Sequence, residues 1–92
     1  MKMNSLKLLF AAVALCLSGA ATAQYGCESG HWIEAVFGNG EFIKLEDGSV
    51  WRVSIIDRID SMLWLPTSDI VVCPGKLINV DDNESVDAVR IR

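Results

Sequence analysis

Turn-forming residues recur at short intervals through the second part of the chain, and this spacing limits what the chain can fold into more than any other feature. Glycine and asparagine adopt the left-handed backbone conformations of tight turns at low cost, and proline presets the backbone for a turn. The turn signals are Gly38-Asn39-Gly40, Asp47-Gly48, Pro66-Thr67-Ser68-Asp69, Pro74-Gly75 and Asp81-Asp82-Asn83. No interval between them has room for a long amphipathic helix, so the chain is restricted to short elements.

The intervals between the turns are rich in β-branched and aromatic residues, which favour strands. The predicted strands are Trp32–Phe37, Phe42–Leu45, Val50–Ile56, Met62–Leu65, Ile70–Cys73, Leu77–Val80 and Val86–Ile91. One helical turn is expected over residues 57–61. An open sheet of short strands would expose unpaired edges, which closure removes. The sequence therefore predicts an all-β fold, a small, partly closed antiparallel barrel of six to seven short strands, SH3-like or OB-like.

The Asp47-Gly48 turn sets the register of the second hairpin. A two-residue turn would place Lys44 on the same face as Trp51. A three-residue loop over residues 46–48, with Gly48 left-handed as a bulge, avoids that conflict. It pairs Ile43 with Trp51 and gathers one apolar face, made of Ile43, Leu45, Trp51 and Val53.

The same reasoning applies to the Gly38-Asn39-Gly40 turn. A three-residue loop there adds Ile33, Ala35 and Phe37 to the apolar face. The opposite face then carries an apolar pair, Val36 and Phe42, among charged residues.

The amino-terminal residues have the pattern of a secretory signal peptide. Lys2 and Lys7 precede an apolar stretch, and Ala21-Thr22-Ala23 is a small-x-small cleavage site before Gln24. We therefore expect residues 1–23 to be removed, residues 24–92 to form a single β-barrel domain, and the mature protein to be periplasmic or secreted.

Cleavage would change the cysteine count and the charge. Cys16 would leave with the leader, so Cys27 and Cys73 are expected to form a disulfide in an oxidising compartment. Removing 23 of the 92 residues and two of the eight basic side chains leaves 69 residues with six basic and 12 acidic side chains. An acidic balance of this size disfavours nucleic acid and favours basic partners.

Aromatic residues are the best candidates for a contact surface. Three tryptophans are a high density for a chain of this size, and tryptophan is enriched at binding hot spots. Trp51 is assigned to the core by the register of the second hairpin. The candidate binding surface consists of Trp32, Val36, Phe42 and Trp64.

Candidate catalytic or metal-ligating residues lack a supporting motif. His31 is the only histidine and is interpreted as a solvated residue at a strand end. Asp57 and Asp60 are interpreted as a surface loop with local ion pairs. The acidic stretch 81–87 partly resembles a calcium loop, but Val86 stands where such a loop has glycine, so a solvated hairpin turn is favoured. We therefore assign no catalytic residue, no metal ligand and no cofactor.

The hairpin Ile43-Lys44-Leu45-Glu46-Asp47-Gly48-Ser49-Val50-Trp51 has the form I-x-L-x-D-G-S-x-W. It resembles a pattern in small exported bacterial proteins to which no activity is assigned, and the resemblance covers residues 40–92. It implies a compact β-barrel and implies no catalytic or binding residue.

These features together predict an exported, non-catalytic barrel that acts by binding a protein or cell-envelope partner, with a basic protein favoured by the charge. No membrane insertion is expected after cleavage. One alternative is a small periplasmic hydrolase or calcium-dependent enzyme that uses His31, Asp57 and Asp60, or Asp81 and Asp82. Another is a subunit that completes its sheet in an oligomer through an edge strand at 70–73.

Overall fold

A computed structural model describes residues 26–92 of the chain. The predicted signal peptide, its cleavage site and Cys16 lie outside the described residues. The strands are β1 (Glu28–Phe37), β2 (Phe42–Leu45), β3 (Val50–Val53), β4 (Asp69–Cys73), β5 (Lys76–Asn79) and β6 (Glu84–Arg90). A 3₁₀ turn (Ile55–Asp57) and a one-turn helix α1 (Arg58–Ser61) lie between β3 and β4.

The six strands form a closed antiparallel barrel in the order β1-β2-β3-β6-β5-β4, with β4 pairing back onto β1. The all-β prediction is confirmed, and the barrel closes completely. Since β4 pairs with both β1 and β5, the segment 70–73 is not an edge strand. This strand therefore offers no free edge through which to complete a sheet in an oligomer, and oligomerisation itself stays a prediction.

The second hairpin has the predicted register. Ile43 pairs with Trp51, and the Leu45 amide donates to the Ser49 carbonyl across the turn at 2.9 Å. Gly48 has φ +88°, the left-handed conformation required at the bulge position. The four side chains assigned to the apolar face are all buried.

The first hairpin differs from the prediction. Four residues, 38–41, separate the strands, so Phe37 pairs with Phe42 and Val36 with Ile43. A β-bulge between Ile33 and Ala35 compensates for the shift, which keeps Ile33 fully buried. The assignment of Phe37 and Ala35 to the core face is therefore wrong, because the longer loop and the bulge bring Val36 against the core in their place.

Residues distant in sequence contact this loop. The Val53 amide donates to the Glu41 carbonyl at 2.8 Å, which continues the pairing of β2 with β3, and the Ser61 hydroxyl donates to the Gly40 carbonyl at 2.7 Å. The second bond joins the loop to α1.

The core fills the barrel and includes one residue from the connection between β3 and β4. Its members are Ile33, Ile43, Leu45, Trp51, Val53, Trp64, Ile70, Leu77, Val86 and Ala88. The predicted helical turn near residues 57–61 is confirmed by the 3₁₀ turn and α1. The predicted strand over 62–65 is wrong, since residues 62–63 are a turn and the Trp64 amide donates to the Ser61 carbonyl at 3.0 Å.

The Cys27–Cys73 disulfide is present as predicted. It joins the residue before β1 to the last residue of β4, next to the pairing of Glu28 with Val72. The bond therefore fastens the two strands whose pairing closes the barrel. Within residues 26–92, no helix is long and apolar enough to span a membrane.

Candidate functional site

The connection between β3 and β4 exposes a dense group of large apolar side chains. Of the eleven exposed large hydrophobic residues in the described part of the chain, six lie in the segment 55–65. They are Ile55, Ile56, Ile59, Met62, Leu63 and Leu65, with exposed fractions from 48% to 78%. We call this segment the apolar connection. Soluble monomers seldom expose contiguous apolar patches beyond a few hundred Å², and larger ones mark interaction sites.

Polar contacts fix the apolar connection to the barrel. The Ser61 hydroxyl is buried against the Gly40 carbonyl, and the Arg58 Nε donates to the Val53 carbonyl at 2.9 Å. The Trp64 ring lies in the core, where its Nε1–H donates to Glu84 Oε1 at 2.7 Å. The inward positions are thus filled by Ser61 and Trp64, and the aliphatic side chains are left facing solvent.

A cavity of about 260 Å³ adjoins the beginning of this connection. Its lining is mainly apolar and includes Val53, Ala88 and Val89, with Ser54 and Arg58 at the side of the connection.

Carboxylates and guanidinium groups both lie beside the apolar connection. Glu41 Oε2 lies 3.1 Å from Arg52 Nε and 3.6 Å from Arg58 Nη2, so one carboxylate meets both guanidinium groups. The Asp57 carboxylate accepts from the Asp87 amide at 2.9 Å, and Asp60 lies on the same short helix. All 12 acidic side chains of the chain lie in residues 26–92, against six basic ones.

The predicted binding surface is only partly at the surface. Trp32 is 47% exposed, whereas Trp64 is 2% exposed, so Trp64 is a core residue and not part of the exposed surface. Val36 packs against the core. Phe42 stacks on Phe37, with ring centroids 5.2 Å apart, which replaces the predicted Val36–Phe42 pair.

The stacked phenylalanines border a second cavity of about 360 Å³, lined also by Val50, Ile91 and Arg92. Trp32 lies beside the turn between β2 and β3, where its carbonyl accepts from the Glu46 amide at 3.0 Å. A contact role for Trp32 and Phe42 stays a prediction.

His31 is not the solvated strand-end residue that the sequence suggested. Its side chain is 18% exposed and lies between two carboxylates. Nδ1 is 2.7 Å from Glu46 Oε2 and Nε2 is 3.2 Å from Glu28 Oε1, so the ring donates to both carboxylates when both of its nitrogens are protonated. Glu46 is 15 residues away in sequence and reaches His31 from the end of the neighbouring strand β2, so only the tertiary structure brings the two together.

The pKa values of this cluster are perturbed. The hydrogen bond to Glu46 raises the pKa of His31 above its ordinary 6.5, against the opposing effect of burial. Burial alone would raise the pKa of Glu46, but the bonds from the Trp32 amide and from His31 outweigh it and lower it below 4.5. Hydrogen bonds from Ser49 lower the pKa of Asp47. Both carboxylates are therefore ionised at neutral pH.

The remaining acidic candidates take part in local structure. Asp81 Oδ2 accepts from the Asp69 amide at 3.2 Å, and the Asp82 amide donates to Asn79 Oδ1 at 3.0 Å. Among residues 26–92, the three-residue group with His, Cys, Asp or Glu atoms close enough for a metal ion is His31, Glu46 and Asp47.

Sequence reasoning missed the apolar connection, although a signal was present. The predicted strands Val50–Ile56 and Met62–Leu65 include five of its six exposed apolar residues, without an assignment to a buried or an exposed face. The six residues between Ile55 and Met62 include Asp57, Arg58 and Asp60, which indicate that the segment is not a buried strand. The exposure of the aliphatic residues on either side was not deducible from pattern alone.

Comparisons with known proteins do not add a family. No protein-family model, no curated protein and no solved structure matches this chain.

Proposed function

We propose that the protein is an exported, non-catalytic binding domain, whose apolar connection docks onto a basic protein partner. The observation that carries the proposal is the group of six exposed aliphatic side chains in residues 55–65. Export is supported by the leader-like pattern of residues 1–23 and by the Cys27–Cys73 bond, because disulfides persist in oxidising compartments. The periplasm is the first expectation and secretion the second.

The chemistry of the surface favours a protein over a membrane. Anionic lipid headgroups would be repelled by Asp57 and Asp60, which flank the exposed isoleucines, and by the excess of carboxylates over the whole barrel. A protein with an apolar contact patch and basic residues around it would satisfy both features. Interfaces commonly have this arrangement of an apolar centre and a charged rim.

The test places a photo-crosslinking amino acid at Leu63 in cells that export the protein. The matched control carries it at Val80, which is 53% exposed, follows β5 and borders neither cavity. We expect one discrete adduct with a basic protein from position 63 and none from position 80.

The partner so identified is then purified and its affinity measured. Ile55→Ser combined with Ile59→Ser is expected to weaken binding by about tenfold or more, whereas Val80→Ser leaves it unchanged. The proposal fails if position 63 gives no adduct or if both positions give the same adduct. It also fails if the adduct has the mass of two copies of this chain, or if the probe is attached to cell-wall material instead of protein.

A further inference from the structure

The turn between β2 and β3 brings two carboxylates to the one histidine of the chain. Glu46 and Asp47 begin that turn, and His31 lies on the neighbouring strand β1. One potential ligand atom from each residue falls within 4.8 Å of the other two. An imidazole nitrogen with two carboxylate oxygens is a ligand set found at divalent metal sites in proteins.

Hydrogen bonds from the barrel orient both carboxylates. Glu46 Oε1 accepts from the Trp32 amide at 2.9 Å, which directs Oε2 towards His31. Asp47 Oδ1 accepts from the Ser49 amide at 2.9 Å and from the Ser49 hydroxyl at 2.6 Å. These donors fix the orientation of the two carboxylates. Less conformational entropy is then lost when they are gathered around an ion.

We propose that His31 Nδ1, Glu46 and Asp47 bind a divalent transition-metal ion of the Zn²⁺ class. The ion would take the place of the proton on Nδ1, which passes to solvent, and the two carboxylates would balance its charge. Zn²⁺ is the ion that best fits one imidazole with two carboxylates, because Ca²⁺ and Mg²⁺ prefer sites made of oxygen alone.

Glu28 completes the arrangement from the other side of the ring. Its Oε1 is 3.2 Å from Nε2, so the Nε2 proton can remain and be donated to it while Nδ1 ligates. Metal-bound histidines almost always donate their second ring N–H in this way, and loss of such an outer partner weakens metal binding. Glu28 is therefore a positioning residue in this proposal.

The experiment is calorimetric titration of Zn²⁺ into the untagged, chelator-treated protein in a buffer that does not bind metal. We expect saturable binding of one ion per chain. His31→Ala and Glu46→Gln are each expected to weaken binding by about tenfold or more, and Glu28→Gln by about tenfold. Asp81→Asn with Asp82→Asn removes carboxylates elsewhere on the surface and is expected to change nothing.

The alternative is that the cluster is only an ion pair that fastens β1 to the turn. In that case Zn²⁺ gives no saturable heat, or gives weak binding that His31→Ala does not alter, and either result overturns the proposal. Displacement of Zn²⁺ by an equal concentration of Ca²⁺ would overturn the assignment to this class of ion. Thermal unfolding of each variant verifies that it is folded, and Glu28→Gln keeps the test decisive if His31→Ala does not fold.

Discussion

At the scale of single residues, two glycines with nearly equal backbone angles meet different surroundings. Gly40 has φ +89° and Gly48 has φ +88°. A Cβ at Gly40 would lie 2.6 Å from the Arg58 carbonyl oxygen and 2.7 Å from the Met62 amide nitrogen, whereas a Cβ at Gly48 would meet nothing within 4 Å. The absence of a side chain at Gly40 therefore allows α1 to pack on the first hairpin loop.

Gly40→Ala is therefore predicted to be more destabilising than Gly48→Ala. Both variants bear the strain of a left-handed residue, about 1–2 kcal/mol, and Gly40→Ala adds an overpacking cost of about 1–3 kcal/mol. Urea unfolding of both variants measures the difference. Equal losses would show that α1 does not constrain the loop.

The His31 cluster predicts a pH dependence of stability. Because the pKa of His31 is raised on folding, its contribution is complete below about 6.5 and is lost as the pH rises through the folded-state value. Because the pKa of Glu46 is lowered on folding, its contribution is present above about 4.5 and is lost as the pH falls through the folded-state value.

The free energy of unfolding of the wild type, relative to that of His31→Gln, is thus expected to be largest between about pH 4.5 and 6.5 and to decline towards pH 9. Urea titrations in the presence of a metal chelator measure it, so that any bound ion does not contribute. A difference that stays constant from pH 5 to 9 would contradict the contact between His31 and Glu46.

At the scale of elements, the residues of the apolar connection are not buried according to their hydrophobicity. Trp64 and Ser61 are buried and hold the segment, while Ile56 and Leu63 are 78% and 72% exposed. Exposed side chains contribute little to the stability of the folded state, so the fold does not depend on these residues being apolar.

Ile56→Ser and Leu63→Ser are accordingly predicted to change the free energy of unfolding by no more than about 0.5 kcal/mol. Trp64→Ala, which empties part of the core and removes the bond to Glu84, is predicted to cost about 3–5 kcal/mol. Chemical unfolding followed by circular dichroism checks all three. A large loss in Ile56→Ser would mean that this side chain is packed in solution.

The disulfide acts on the pair of strands that closes the barrel. Its two cysteines are 46 positions apart. In the chain-entropy model, a loop of that length stabilises the fold by about 4 kcal/mol. Cys27→Ser with Cys73→Ser is predicted to lose about this amount in urea unfolding. Reductant should destabilise the wild type equally and leave the double variant unaffected, and an effect on the variant would point to another cause.

At the scale of the whole molecule, closure and charge define how the barrel can meet a partner. Each strand pairs with two neighbours, so association by strand addition has no free edge among the described residues. Contacts with a partner must then be made by side chains. The exposed side chains include those of the apolar connection and an excess of carboxylates over basic groups.

The rate of association with the proposed basic partner is predicted to fall as salt rises above about 0.1 M, where the Debye length is about 10 Å. Asp57→Asn with Asp60→Asn should slow association more than Asp81→Asn with Asp82→Asn, which removes the same charge farther along the chain. Stopped-flow or surface-plasmon measurements at several salt concentrations test this. A rate that does not respond to salt would exclude electrostatic selection.

Local chemistry determined several features that the sequence alone predicts. The all-β class follows from the spacing of the turns, and the register of the second hairpin follows from Asp47-Gly48 together with the need to keep Lys44 off the core face. The Cys27–Cys73 bond follows from the cysteine count, because only one pairing is possible once Cys16 is assigned to the leader. In each case the information lies within one turn or in a single possible pairing, so no distant contact is needed to read it.

Only the tertiary structure decided the rest. The first hairpin takes a four-residue loop that Ser61 contacts from α1, and Trp64, three residues after α1 ends, is buried in the barrel. His31 is held by Glu46, which only the pairing of β1 with β2 brings near. These outcomes depend on contacts between residues far apart in the chain, whose energies do not appear in any local pattern. The exposure of the six large apolar side chains in residues 55–65 was likewise decided by the tertiary structure, since burial is a property of the packed barrel.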